Sequence, residues 1–207
     1  MDINLSKFEN DTYSVDVSHF RLDNARGVVI VFPGAGYSHM GPCIYYPSTA
    51  LYKNGYEILN IEYDFRKEGL RDGSQESYEK YFTFLIENIK KLKLPSQKVA
   101  FCKSIGTRIV GSMETNLFDK IIWSTPALKD DYVYNSIYGL QEKSLVVIGD
   151  KDPFYSEKQL NELKNNSVQC LVIQGADHGL DIDGDLSRSL DEMKTIVSET
   201  LKFVKNV

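Results

Sequence analysis

The sequence predicts an α/β fold: a three-layer sandwich in which helices cover both faces of a mainly parallel, doubly wound sheet. Short apolar runs rich in valine, isoleucine and aromatic residues alternate with segments of helical spacing. This alternation is typical of parallel strands joined by helical crossovers. Most of the runs are apolar throughout rather than at every second position, which indicates strands covered on both faces.

Six apolar runs are predicted to be strands of this sheet. The first 25 residues fit one or two additional strands, for instance around TYSVDVSHF (12–20). The six runs are GVVIVFP (27–33), YEILNIEY (56–63), KVAFCK (98–103), KIIWST (120–125), SLVVIG (144–149) and QCLVIQG (169–175).

The segments between the strands carry the spacing of amphipathic helices. Shorter helices are predicted over 43–54, 105–116 and 156–165. Two longer helices are predicted from apolar stripes, one formed by Tyr78, Phe82, Leu85, Ile89 and Leu92, and one by Leu190, Met193, Val197, Leu201 and Val204.

Composition and charge narrow the class of protein. A chain of 207 residues with 42% hydrophobic and 26% charged residues is predicted to form a single domain over 1–207. Its net charge of −5 and scattered basic residues argue against nucleic-acid binding. The sequence has no apolar run long enough for a membrane span, and its first residues are not expected to act as a signal peptide. Three widely spaced cysteines do not form a disulfide framework, so a cytoplasmic location is expected.

Polar or glycine-rich segments follow four of the predicted strands. They are PGAGYSH after the first strong strand, Ser104 after the third, GDKDP after the fifth and GADHG after the sixth. Because functional groups gather at the carboxyl ends of parallel strands, these segments are expected to meet at one edge of the sheet.

A serine at this edge acts as a nucleophile only if a neighbouring base takes its proton, and the usual base is a histidine oriented by a carboxylate. His178 is the candidate base, since His19 and His39 do not follow the last predicted strand. Its plain alternative is a loop histidine without a special role.

The candidate carboxylate lies in VVIGDKDPFY. Asp152 is preferred over Asp150 because it lies further beyond the strand and precedes Pro153, which fixes the local backbone. Asp150 is then a loop or capping residue. Asp177 is a weaker candidate because its side chain should diverge from that of the adjacent His178.

The order serine, aspartate, histidine along the chain is the order found on α/β-hydrolase sheets. From VVIVFPGAG through CKSIG and GDKDP to GADHG, nearly the whole chain resembles the α/β-hydrolase fold superfamily, in particular small, cap-less serine hydrolases of the dienelactone-hydrolase and esterase type. The resemblance implies Ser104 as nucleophile, Asp152 as acid and His178 as base.

The motif around the serine departs from the G-x-S-x-G pattern of that superfamily at one position. Cys102 stands where the first glycine is usual, a position that requires a small residue. Cys102 could itself be considered as a nucleophile, but it lies within the predicted strand, where it should be buried and inert.

The resemblance also implies an oxyanion hole of two backbone N–H donors. One donor is expected from Ile105, the residue after the nucleophile, and the other from the PGAG loop. Ala35 is preferred for the second donor and Gly36 is the second choice. Read without the resemblance, the PGAG loop is a flexible turn.

Two other ligand classes fit the sequence less well. A dinucleotide motif starting at Gly34 would need a third glycine where His39 stands. A calcium loop in DHGLDIDGD would need an aspartate where Gly179 stands. The implied chemistry therefore requires no cofactor and no metal.

Only residues 126–143 separate the fourth and fifth predicted strands, which is enough for a loop and one helix but not for a cap domain. A fairly open aromatic cleft is expected. Its walls are predicted to be Tyr37, His39, Tyr63, Phe65, Trp123, Pro126 and Phe154, with Trp123 equally suited to the core.

These features predict a serine hydrolase that acts on a small-molecule acyl substrate, an ester, thioester or amide, through an acyl-enzyme intermediate. One alternative is non-hydrolytic use of the same triad, in acyl transfer or carbon–carbon bond cleavage. The other is a catalytically inert binding protein on the same fold.

Overall fold

The computed structural model describes residues 2–67, 70, 74–112 and 117–205. The strands are β1 (Asp2–Glu9), β2 (Ser14–Arg21), β3 (Gly27–Phe32), β4 (Tyr56–Glu62), β5 (Gln97–Lys103), β6 (Lys120–Ser124), β7 (Ser144–Gly149) and β8 (Gln169–Ile173). The helices are α1 (Pro42–Lys53), α2 (Gln75–Ile89), α3 (Ile105–Gly111), α4 (Asp131–Leu140), α5 (Glu157–Asn165) and α6 (Leu186–Lys205).

All eight strands form one mainly parallel sheet, as predicted. The strand order is β1-β2-β4-β3-β5-β6-β7-β8. β2 runs antiparallel to both of its neighbours, β1 and β4, whereas β4, β3, β5, β6, β7 and β8 are parallel to one another. The parallel part therefore presents the carboxyl ends of six strands at one edge.

The two faces of the sheet bury separate layers of core, and β3 shows why its run is apolar throughout. Val28, Ile30 and Phe32 point into the layer under α2, α3, α4 and α5. Val29 and Val31 point into the layer under α1 and α6. Since successive side chains of a strand point to opposite faces, a central strand covered on both sides has no position left for a polar residue. This is the three-layer sandwich that the sequence predicts.

The predicted strands agree with the structure to within two residues at each end. The predicted helix over 105–116 ends earlier, because α3 stops at Gly111, and residues 113–116 of that prediction lie outside the described residues. The predicted N-terminal strands correspond to β1 and β2.

The buried face of α6 differs from the predicted stripe. Leu190 is 52% exposed, and Val197 and Leu201 are only partly buried. The buried line instead runs through Ser189, Met193, Ile196, Thr200, Phe203 and Val204. Met193 and Val204 belong to both lines. Because two small polar residues occupy the buried line and apolar residues flank it, hydrophobicity alone displaced the rest of the predicted stripe to one side of the buried face.

Residues 125–143, all of which the structure describes, contain only α4 and a 3-10 helix (Gln141–Lys143) between β6 and β7. No cap domain is inserted there, as predicted. Within the described part of the chain, none of the helices combines the length and the apolar character that crossing a membrane requires.

The end of β7 depends on a close approach between two backbones. A Cβ atom at Gly149 would overlap the carbonyl group of Ala176, which also accepts the N–H of Lys151 at 2.9 Å. We expect Gly149→Ala to lower the free energy of unfolding by about 1–3 kcal/mol, since the loop after β8 must move away from the end of β7. Urea denaturation followed by circular dichroism measures this change.

Gly139→Ala is the matched control for this substitution. Gly139 lies exposed in α4 with open space around the position of a Cβ atom, so alanine should raise the free energy of unfolding by about 0.5–1 kcal/mol. Equal effects of the two substitutions would contradict the proposed steric role of Gly149.

Candidate active site

The turn from β5 into α3 holds Ser104 in a conformation that residues other than glycine rarely adopt. Its φ is 51° and its ψ is −111°, where the Cβ of an L-residue is crowded. The Ser104 N–H donates to the carbonyl of Ser124, at the end of β6, over 3.1 Å. The turn is thus tied to the neighbouring strand, as in the strained strand-to-helix turn of a nucleophile elbow.

The residues two positions either side of Ser104 are constrained by packing. A Cβ atom at Gly106 would overlap the carbonyl oxygen of Phe32, at the end of β3, so only glycine lets α3 begin this close to the sheet. Cys102 is fully buried within β5, and its thiol lies 3.3 Å from the carbonyl oxygen of Ile122. Cysteine is therefore small enough to fill the place of the usual glycine.

His178 lies between Ser104 and Asp152. The Ser104 Oγ is 2.9 Å from His178 Nε2, and Asp152 Oδ2 is 2.7 Å from His178 Nδ1. An ionised carboxylate can only accept a hydrogen bond, so Nδ1 carries the proton and donates to Asp152. This leaves Nε2 unprotonated, with its lone pair directed at the Ser104 hydroxyl. The three residues predicted from the sequence are thus brought together.

The environment of Asp152 fixes its carboxylate. Its side chain has no exposed surface, and its second oxygen, Oδ1, accepts the N–H of Phe154 over 2.8 Å. The Phe154 ring packs beside the His178 ring, with the centroids 5.7 Å apart. Both oxygens of Asp152 therefore have a partner, and the carboxylate is held against rotation.

The two other carboxylate candidates act within their own loops. Asp150 Oδ1 accepts the N–H of Gly175 over 2.7 Å, which links the loops after β7 and β8. Asp177 Oδ1 accepts the N–H groups of Gly179 and Asp181 at 2.7 and 3.2 Å, which shapes the turn that carries His178. The sequence predicted a loop or capping role for Asp150, and its hydrogen bond to Gly175 agrees with that prediction.

The loop after β3 lies against the serine. A Cβ atom at Gly34 would lie 3.4 Å from the Cβ of Ser104. The Tyr37 N–H donates to the Gly34 carbonyl over 3.1 Å, and Gly36 has a φ of 69°, which together define a type II turn with Ala35 at its second position. None of the hydrogen bonds between described residues involves the N–H group of Ala35, Gly36 or Ile105, so this observation does not distinguish Ala35 from Gly36 as the second donor. Their role in an oxyanion hole stays a prediction.

A cleft of about 640 Å³ opens beside this turn. Four of the seven predicted wall residues line it: Tyr37, His39, Tyr63 and Phe65. It is more polar than predicted, because Glu62, Asp64 and Arg66 line it as well. The Tyr63 hydroxyl donates to the carbonyl oxygen of Pro33, and burial raises the pKa of Tyr63 well above its ordinary value, so this donor stays protonated.

The remaining predicted wall residues lie elsewhere. Trp123 is fully buried and its Nε1–H donates to Ser144 Oγ over 3.0 Å, so it belongs to the core. Pro126 is buried too. Phe154 contacts the His178 ring rather than the cleft.

Cys102 and the acidic loop do not form sites of their own. Burial raises the pKa of the Cys102 thiol well above its ordinary value, so the thiol is protonated and shielded, as predicted for a strand residue. No group of three or more histidine, cysteine, aspartate or glutamate side chains within the described ranges is arranged to hold a metal ion.

Lys103 is the residue of this region that sequence reasoning missed. It is almost fully buried and its ammonium donates to the carbonyl oxygen of His178 over 2.8 Å. The available signal was a lysine inside the apolar run KVAFCK, directly before Ser104.

No protein-family model and no curated protein matches the sequence. Solved structures do match over nearly the full length of both chains. A predicted CIB-like hydrolase from Thermoplasma acidophilum is 17% identical, with a TM-score of 0.75 and 100% of each chain covered. Est1E from Butyrivibrio proteoclasticus is 14% identical, with a TM-score of 0.70 over 97% of this chain and 98% of that one, and another Est1E structure holds ferulic acid.

A third similar structure is a lid-less α/β serine hydrolase from Xanthomonas campestris. It is 12% identical, with a TM-score of 0.67 over 100% of this chain and 97% of that one. Together with the sheet and the absence of a cap between β6 and β7, these similarities show that the chain has the α/β-hydrolase fold.

The conformation of Ser104 stores strain that a glycine would release. We expect Ser104→Gly to be more stable than Ser104→Ala by about 1 kcal/mol, because both remove the hydroxyl but only glycine relieves the positive φ. Thermal and urea denaturation of the two variants measures the difference. If alanine were as stable as glycine, the backbone strain at Ser104 would be disproved.

Proposed function

We propose that this protein is a serine hydrolase that cleaves a small carboxylic ester, thioester or amide through an acyl-enzyme intermediate. The observation that carries the proposal is the placement of His178 between the Ser104 hydroxyl and the Asp152 carboxylate, at 2.9 and 2.7 Å. The α/β-hydrolase fold is consistent with this chemistry, but fold alone does not fix function.

In the proposed acylation step, His178 Nε2 takes the hydroxyl proton as Ser104 Oγ attacks the substrate carbonyl carbon. The imidazolium that forms is stabilised by the Asp152 carboxylate. It then gives the proton to the leaving alcohol, thiol or amine as the bond from the carbonyl carbon breaks. The acyl group remains on Ser104 as an ester.

In the second step, water replaces the serine as nucleophile. His178 Nε2 takes a proton from the water, the hydroxide adds to the acyl carbon, and the proton returns to Ser104 Oγ as the carboxylic acid leaves. Both steps place negative charge on the former carbonyl oxygen. The N–H groups of Ile105 and Ala35 are the proposed donors to that oxygen, with Gly36 as the alternative to Ala35.

The cleft beside the Gly34–Gly36 turn supports a small substrate of mixed character. Ser104, Asp152 and His178 do not line this cleft, and it adjoins Ser104 through Gly34. Its aromatic lining suits an apolar or aromatic acyl group, whereas Glu62, Asp64 and Arg66 suit polar substituents. The volume of about 640 Å³ falls in the range of small-molecule pockets. An ester of an aromatic acid, such as a feruloyl ester, therefore belongs in the first substrate panel, beside a thioester and an anilide.

Labelling by a fluorophosphonate probe tests for an activated serine. We expect one covalent adduct on the wild-type protein, none on Ser104→Ala, and a labelling rate lowered by about 10⁴-fold in Asp152→Asn, where the histidine tautomer is wrong. Intact-protein mass spectrometry with time gives the rates, and circular dichroism shows that each variant is folded.

Ser77→Ala serves as a control, since Ser77 lies at the start of α2, away from the site, and should label like the wild type. A folded wild-type protein without any adduct would contradict the proposal. It would favour a binding protein that uses the same cleft without turnover.

The oxyanion donor in the turn is tested by Ala35→Pro against Ala35→Gly. Proline is favoured at the second position of a type II turn, so the backbone should persist while the N–H is lost. We expect kcat for ester hydrolysis to fall by about 10²- to 10³-fold in Ala35→Pro and to change little in Ala35→Gly. Equal kcat values in the two variants would exclude Ala35 and leave Gly36 as the donor.

A further inference from the structure

Lys103 occupies a buried position directly before the proposed nucleophile. Its side chain is among the largest that are fully buried. The ammonium donates to Thr125 Oγ1 over 2.9 Å and to the carbonyl oxygen of His178 over 2.8 Å. It also lies 4.8 Å from the centroid of the Tyr37 ring, within the range of a cation–π contact. The buried charge therefore has a partner in each of three loops.

We propose that Lys103 is a positioning residue: its ammonium holds the main chain of His178 so that the imidazole stays in line with Ser104 and Asp152. This inference rests on the proposed serine hydrolase. It concerns a group that does not itself touch the substrate.

The contact between Lys103 and the His178 carbonyl restrains the loop that carries the His178 imidazole. His178 follows Asp177 in the turn after β8, and its side chain is partly exposed, so packing alone holds it weakly. The Lys103 ammonium anchors the carbonyl of His178, and the Cys43 thiol donates to the next carbonyl, that of Gly179, over 2.8 Å. Two consecutive carbonyls are thereby fixed to β5 and α1.

The Thr125 contact fixes the lysine in turn. Thr125 follows β6 with a φ of 45°, unusual for a β-branched residue, and its N–H donates to the carbonyl of Val147 over 2.7 Å. The main chain of Thr125 is therefore held by the sheet. The Lys103 ammonium thus connects the Thr125 hydroxyl with the main-chain carbonyl of His178.

Stability alone gives little reason for a lysine here. Burial lowers the pKa of Lys103, while the negative charges of Asp152, Asp177 and Asp181 oppose that shift. A buried charge costs free energy that an apolar side chain of similar length would not. A methionine at this position could not donate a hydrogen bond to the His178 carbonyl. The benefit of the lysine is therefore that it positions the base.

Lys103→Met tests the proposal, with Lys98→Met as the matched control. Lys98 lies on the same strand, at its other end, and among the described residues its ammonium donates to the carbonyl oxygen of Ser96, just before the strand. We expect Lys103→Met to lower the fluorophosphonate labelling rate of Ser104 by about 10- to 100-fold, since small displacements of a catalytic group have effects of this size. Lys98→Met should label at the wild-type rate.

A double-mutant cycle with His178→Ala separates positioning from general damage. If Lys103 acts through His178, Lys103→Met should cause no further loss of the residual labelling rate in the His178→Ala background. Proton NMR gives a second readout, because the low-field resonance of the His178 Nδ1–H bound to Asp152 should broaden or vanish in Lys103→Met and persist in Lys98→Met.

A labelling rate within twofold of wild type in folded Lys103→Met would overturn the proposal. So would a loss of labelling rate by the same factor in the wild-type and His178→Ala backgrounds. If Lys103→Met does not fold, isosteric Thr125→Val takes its place. It should broaden the low-field resonance and slow labelling, and unchanged values would overturn the proposal. A wild-type protein that does not label contradicts the hydrolase instead, while the NMR readout still tests Lys103.

Discussion

The close packing of α3 against the end of β3 is the constraint on which the site depends. Because Gly106 has no side chain, the first turn of the helix lies directly on the carbonyl of Phe32. The chain must then leave β5 in a sharp turn, and Ser104 takes the strained conformation at its apex. Strain of this kind persists only where the surrounding structure enforces it. Here the enforcing contacts are the helix, the sheet and the hydrogen bond to Ser124.

Around this turn, each group at the carboxyl edge is held by a neighbour from another strand. Asp152 orients His178 from the loop after β7, and Lys103 holds the same residue from the end of β5. Tyr63 supports the Pro33 carbonyl from the end of β4. Polar groups fixed in place before a substrate binds stabilise the charge that develops in a transition state, and the proposed hydrolase would rely on the contacts at this edge for that purpose.

The fold and the positions of the three central side chains could be predicted because they follow from local patterns. Continuous apolar runs identify central strands, and the ends of parallel strands converge. The burial of Trp123 and the exposure of Leu190 could not be predicted, since both depend on which neighbours the helices and loops bring close. Lys103 was missed for a related reason: its partners lie in the loops after β6 and β8, and no local pattern in the sequence relates them.

The three central residues are far apart in the chain, and this has a consequence for folding. Ser104 and His178 are separated by 74 positions and Asp152 and His178 by 26, so their contacts close long loops and form only when β5, β6, β7 and β8 are already assembled side by side. Contacts of this kind form late and slowly. For the proposed hydrolase, this means that a partly folded chain would carry an unactivated serine and that reactivity would appear only with the completed sheet. The rate at which probe labelling appears during refolding would therefore measure the last stage of folding.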